Sequence, residues 1–128
     1  MLPKLARIRV VDSSGAGWIQ IFHIYRGFRH RLAAGGDFVK GAVKRIAFYP
    51  RYKRGKRYKP LRVGHVVRGL ILHTRHVINF LDGTRVFFFQ NSTVLLRKRG
   101  TLKTKVLVGP LPRSIHRRQY QAMFKTYL

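Results

Sequence analysis

From Gly69 to Leu95 the chain sets short apolar runs between turn residues: Gly69-Leu-Ile-Leu72, nine further residues, Asp82-Gly83, Thr84-Arg-Val-Phe-Phe-Phe-Gln-Asn91 and Ser92-Thr-Val-Leu95. Runs rich in β-branched and aromatic residues at this spacing read as three short strands with two turns between them. Asp82-Gly83 is the sharper turn signal, because a two-residue primed turn needs positive φ, which Gly tolerates and Asp partly does. A hairpin is therefore expected here, and the chain is pointed toward sheet.

The flanking sequence extends the same reading. Arg7-Ile-Arg-Val-Val11 alternates and stops at Asp12-Ser-Ser-Gly-Ala16, where Asp and Ser can bond nearby amides and Gly15 can turn left-handed. Trp18–Tyr25 carries Ile19, Ile21 and Tyr25 on one face of an extended chain and Phe22 and Ile24 on the other, a two-sided pattern that suits a small closed barrel. Ala33–Asp37 reads as a turn into a strand over Phe38–Ala47, in which Lys40 and Lys44 share a parity and present both ammonium groups to one side. Val63–Leu72 reads as a further strand, with a bulge or bend at Gly64 or Gly69. Arg97–Thr101 is a basic turn, and Val106–Val108 a last short strand stopped by Gly109-Pro110. Beyond Pro112, Ser114 can cap a helix whose Tyr120, Met123, Phe124 and Tyr127 recur at helical spacing. At 128 residues and 45% hydrophobic, one core and one domain over 1–128 are expected, with the barrel over about 6–110 and the helical segment over about 113–127.

Charge narrows the function. Lys and Arg total 28 against 3 acidic residues, a formal +25, so the free chain repels itself and attracts polyanions. The longest apolar runs fall far below the roughly 20 residues of a spanning helix, and Met1–Val10 lacks an apolar stretch of signal-peptide length, so neither a membrane span nor a removable leader is expected. With no cysteine there is no disulfide framework and no thiolate metal site. The cations gather in loops and at strand faces. Arg26, Arg29, His30 and Arg31 form one basic loop; Lys40, Lys44 and Arg45 lie on the strand after it. Arg51, Lys53, Arg54, Lys56, Arg57 and Lys59 lie between Pro50 and Pro60, with Tyr52 and Tyr58 among them as candidates to stack on bases or sugars. Arg97, Lys98, Arg99 and Lys103 follow, and Arg113, Arg117 and Arg118 stand near a helix start, where the dipole disfavours cations and an external anion would explain them. All of these are candidate RNA-binding residues. The segment between the prolines is expected to be an extended loop, mobile without its partner.

Catalytic apparatus is not visible. Asp12, Asp37 and Asp82 each sit beside a turn Gly or Ser, where turn formation accounts for them, and no carboxylate pair remains for metal-assisted hydrolysis. His73 and His76, three apart on an extended chain, point to opposite faces and have no third ligand nearby in sequence, so no metal site and no cofactor are expected. Gly35-Gly36 lacks any phosphate-loop context, and for Phe87-Phe88-Phe89 the alternation rule favours core packing over a stacking platform.

The order of motifs resembles a known family. Gly69 with three aliphatics, the nine-residue spacer, Asp82-Gly83, four residues, an aromatic, Asn91 and Val94-Leu95 are similar to the signature of the universal large-subunit ribosomal protein family L-fourteen. Asp12, Ser14, Gly15 and Ala16 match a second motif, Gly36-Asp37 before a lysine-bearing strand a third, and Gly109-Pro110 followed by Arg113 a fourth; Ser114 departs from the usual acidic residue, and the 49–60 loop is longer than in typical bacterial relatives. The resemblance implies a five-stranded closed β-barrel with basic loops and short C-terminal helical elements, and a structural constituent of the large ribosomal subunit. Implied partners are large-subunit rRNA, neighbouring large-subunit proteins and small-subunit rRNA across the inter-subunit face, without membrane or small-molecule substrate. The charge, the absence of Glu and the 9 Phe and 6 Tyr lean toward a mitochondrial ribosome in the matrix over a bacterial or plastid one. The rival readings are a basic architectural protein binding DNA or RNA outside the ribosome, and a secreted membrane-active cationic protein; neither predicts the ordered motifs.

Overall fold

The computed structural model describes residues 1–27, 30–48, 61–104, 109–113 and 115. Among them the strands are β1 (Leu2–Pro3), β2 (Arg7–Val10), β3 (Ala16–Ile24), β4 (Leu32–Ala33), β5 (Phe38–Ile46), β6 (Val66–His73), β7 (Ile78–Asn79), β8 (Arg85–Val86) and β9 (Ser92–Leu96). Five of them close a barrel in the order β2-β3-β5-β6-β9, antiparallel throughout except where β9 runs parallel to β2 and completes the ring. The expected closed five-stranded barrel is thus present. The last strand over Val106–Val108 and nearly all of the helical segment over 113–127 lie outside the described residues.

Alternation explains which residues face in. On β5, Val39, Gly41 and Val43 are buried and Lys40, Ala42 and Lys44 are not, so the two lysines share the outer parity. The barrel interior is filled by Ile8, Val10, Ile19, Ile21, Ile24, Val39, Val43, Val67, Ile71 and Leu95. A second cluster packs Leu70, Leu72, Val94 and Leu96 against Leu102, Leu111 and Ile115 on the outer side of β6 and β9. Those two strands are covered on both faces, which is why Leu70–Leu72 and Val94–Leu96 read as unbroken apolar runs.

Three expectations need correction. Tyr25 does not share the inner face with Ile19 and Ile21. The β3–β5 register slips between Ile21 and His23, so Phe22 is the extra residue and Ile24 rejoins the interior while Tyr25 stands 44% exposed. Thr84–Asn91 is not one strand: only Arg85–Val86 pairs, with Ile78–Asn79, in a small ribbon outside the barrel. Its loop does turn at Asp82-Gly83, though not as the two-residue primed turn expected: the Gly83 amide donates to the Phe80 carbonyl at 3.1 Å, which puts Leu81 and Asp82 at the centre of the turn, and of the pair only Gly83 takes positive φ, at 84°. Phe87 and Phe89 are 56% and 86% exposed, against the core packing expected of that run, because the chain leaves the sheet before it reaches them. Phe88 alone turns back, stacking on His73 at 4.3 Å.

The glycines of β6 serve differently from the bend expected of them. Gly64 at φ 89° makes the turn that precedes the strand, whereas Gly69 pairs regularly with Val39 and Leu95. A Cβ at Gly69 would lie 2.6 Å from Thr93 Oγ1, so the position is kept bare to seat a buried threonine. The bulge in β6 falls instead between Ile71 and His73.

Asp12 ties the turn after β2 to β9, its neighbour in the barrel and the last of the barrel strands in sequence. Its Oδ1 accepts from the Ser14 amide at 2.9 Å, the local turn bond that the sequence suggests, and its Oδ2 accepts from the Leu95 amide at 2.7 Å. Asp12 as a whole is buried, at 6% exposed. Removing it leaves a buried amide of β9 without its acceptor, so Asp12→Ala is expected to cost about 2–3 kcal/mol of unfolding free energy. Urea denaturation would measure this, and a loss below about 0.5 kcal/mol would show that the bond contributes little beyond what water replaces.

Candidate nucleic-acid interface

Strand register brings together side chains that are remote in sequence. His23 on β3 pairs with Lys40 on β5, Lys40 with Arg68 on β6, and Arg68 with Leu96 on β9, forming one row across the outside of the barrel. Lys40 and Arg68 are thus like charges set directly opposite on antiparallel strands, an arrangement that destabilises a free sheet. No acidic residue of the chain relieves it. Asp12 is held by Ser14 and Leu95, Asp37 accepts from the Ala34 amide at 2.7 Å, and Asp82 accepts from the Thr84 amide at 3.0 Å. The Thr84 backbone bond holds the Asp82 carboxyl below the ordinary carboxylate range, the Thr84 hydroxyl helps, and Arg113 adds a smaller pull.

Aromatic rings support the two cations. The Lys40 ammonium lies 5.9 Å from the centroid of Phe22, and the Arg68 guanidinium carbon 5.9 Å from that of Tyr25, both within cation–π range. Tyr25 also meets His23 edge-on at 4.8 Å. The Phe22 bulge in β3 places these rings outside, so the register slip that removes Tyr25 from the core supplies it to this face.

Beside the row, β5, β6 and β9 wall a hollow of about 720 Å³. Lys40, Arg68, Arg97, Lys98, Lys103 and His65 line it together with Leu61, Val66, Val67 and Leu96. The Arg97–Thr101 turn forms as expected: the Arg97 amide donates to the Thr101 carbonyl at 2.8 Å and the Gly100 amide to the Arg97 carbonyl at 2.9 Å. Arg68 Nη1 donates to the Lys98 carbonyl at 3.2 Å, joining the row to that turn.

The candidate residues therefore divide. Lys40, Arg97, Lys98 and Lys103 come together around the hollow. Lys44 and Arg45 are exposed farther along β5, beside the register slip opposite Trp18, and Arg99 is exposed in the 97–101 turn. Arg26 is drawn aside, its Nε 3.5 Å from Asp37 Oδ1. His30 and Arg31 are exposed before β4, and Arg113 belongs to the Asp82 side of the molecule. Arg29, Arg51, Tyr52, Lys53, Arg54, Lys56, Arg57, Tyr58, Lys59, Arg117 and Arg118 lie outside the described residues. Sequence reasoning missed Arg68, His65, Phe22 and Tyr25. For Arg68 a signal existed, since it stands between Val67 and Gly69 on a strand whose alternate positions turn inward.

His73 serves packing. Its Nε2 faces the Pro110 carbonyl at 2.5 Å, so that nitrogen carries the hydrogen, and Nδ1 accepts from the Ser92 hydroxyl at 2.6 Å. Burial pushes its pKa down while the Pro110 bond opposes the shift, and the ring is held neutral between β6 and the 109–113 segment.

This geometry offers cations, aromatic faces and a concave wall on one side of a closed barrel, and among the described residues no group is placed to break a bond. A family model described as Ribosomal protein L14p/L23e matches residues 1–126 of the chain. The chain is also 26% identical, over 124 residues, to the Large ribosomal subunit protein uL14m of Tetrahymena pyriformis, a match that covers 97% of each chain.

Proposed function

The chain belongs to the ribosomal protein L14p/L23e family, and on that premise we propose which of its surfaces does the binding. The protein is a structural constituent of the large ribosomal subunit, not an enzyme, with ribosomal RNA and ribosomal proteins as partners. In our reading the outer face of β5, β6 and β9, with Lys40, Arg68, Arg97, Lys98 and Lys103, lies against large-subunit rRNA. The opposed Lys40–Arg68 pair carries this reading, because it is unfavourable in the free protein and becomes favourable once phosphate stands between the two cations. Lys44, Arg45 and Arg99, exposed on β5 and in the 97–101 turn, add backbone contacts beside that face. The chain acts as one domain over 1–128. An additional contact with small-subunit rRNA across the inter-subunit face rests on the family likeness, and a mitochondrial ribosome is favoured by the likeness to uL14m together with the +25 charge.

Sedimentation of a tagged copy from gently lysed cells and from isolated organelles, at low and high salt, tests the assignment. Migration with the large subunit of the mitochondrial ribosome is expected. With isolated rRNA, affinity should fall by about 0.7–0.9 log units per phosphate contact for each log unit of salt. Co-purification with DNA, or the absence of any large particle, would overturn the reading.

A further inference from the structure

The hollow beside the Lys40–Arg68 row has a floor that a phosphate backbone does not need. Val66 stands on it 58% exposed, on the same outward parity as Arg68, with the almost fully buried Leu61 and Leu96 beside it, while Val67 meets it only from the strand and turns its side chain into the barrel. Phosphate laid on such a floor would lose hydration without gaining partners there. A nucleobase is the part of RNA that pairs apolar faces with polar edges, and unpaired bases are the ones free to leave a helix. At about 720 Å³ the space falls within the roughly 300–1,000 Å³ typical of small-ligand pockets.

Two polar groups on the wall are fixed before anything binds. The Arg68 guanidinium is held between the Tyr25 ring and the Lys98 carbonyl, so a flat, charged plane is already positioned, and such planes stack on bases. His65 Nδ1 accepts from the Arg62 amide at 3.2 Å, which leaves Nε2 of the neutral ring as its hydrogen-bond donor. A donor of fixed tautomer next to an apolar floor suits the acceptor edge of a base.

We propose that this hollow receives a single unpaired nucleotide extruded from large-subunit rRNA, its base over Val66 and Leu96 against the Arg68 plane and its flanking phosphates on Lys40, Arg97 and Lys98. The inference rests on the reading that this face binds RNA, and the two are separable by experiment. Full-length protein is titrated with two RNA hairpins of identical stem, one fully paired and one carrying a single unpaired 2-aminopurine. The bulged hairpin is expected to bind at least about tenfold tighter, with a change in 2-aminopurine fluorescence, on the scale of one stacked base. Val66→Trp fills the hollow from an exposed position and keeps every charge; it should bring the preference to within about twofold while the salt slope stays as in the parent. Arg68→Lys keeps the charge and removes the plane, and should reduce the preference by about threefold or more at an unchanged slope. Equal binding of the two hairpins by the parent protein, or a preference that survives Val66→Trp, overturns the nucleotide site and leaves the cationic face standing. Salt-dependent binding of neither hairpin overturns both.

Discussion

Replacing Gly41 by alanine is expected to lower the unfolding free energy by about 3 kcal/mol and the melting temperature by roughly 10 °C. A Cβ at this position would stand 2.6 Å from the Gln20 carbonyl oxygen and 3.2 Å from its carbon. Both are backbone atoms of β3, so no rotamer change relieves the overlap and the two longest strands of the barrel must move apart. Gly69 provides the contrast. There the obstructing atom is Thr93 Oγ1, whose hydroxyl donates to the Leu70 carbonyl at 2.9 Å. Thr93→Ala should therefore recover part of the loss caused by Gly69→Ala, with a coupling of about 1 kcal/mol in a double-mutant cycle, whereas no side-chain change rescues Gly41→Ala. Thermal melts of the four variants decide the matter. A Gly41→Ala protein that melts within about 2 °C of the parent would show that β3 and β5 have slack to give.

Lys40→Glu should move two measurements in opposite directions. The substitution turns the opposed Lys40–Arg68 pair into a cross-strand Glu–Arg pair, and free-protein stability is expected to rise by about 0.5 kcal/mol. At the same time it removes one phosphate contact and adds a repulsive charge, so affinity for large-subunit rRNA should fall roughly 10–30-fold near 0.15 M salt. Denaturation of the free protein and filter binding to rRNA at several salt concentrations give the two numbers. A variant that binds poorly because it folds poorly would lose both together. Rising stability with unchanged RNA affinity would remove Lys40 from the interface.

The turns were legible in the sequence because their chemistry is local. Asp12 with Ser14, Asp37 with the Ala34 amide and Asp82 with Thr84 each close a bond within three residues, and Gly15 takes the left-handed φ of 93° expected of it. The second bond of Asp12 was not legible, since Leu95 is 83 positions away. Within Trp18–Tyr25, strand faces were legible only as far as Ile21. The alternation in β3 holds to Ile21, and the slip at Phe22 depends on how β5 pairs with it, which no pattern within Trp18–Tyr25 reports. The same slip decides that Phe22 and Tyr25 stand outside beside Lys40 and Arg68. Basic loops are visible as composition, but a row such as His23, Lys40, Arg68 and Leu96 exists only once four strands are in register.

The parallel seam between β2 and β9 also fixes an order of events during synthesis. β2 ends at Val10, and its partner begins at Ser92, so the ring stays open until some nine-tenths of the barrel sequence has left the exit tunnel. Until then β2 and β6 both present unpaired edges, and the amide that Asp12 awaits has not yet been made. At about 5–20 residues per second this interval lasts several seconds, long enough for the open sheet to meet other nascent chains. Where the other chain is a second copy of this one, like charge opposes the encounter, so the charge that serves the finished protein on RNA also keeps unfinished copies apart.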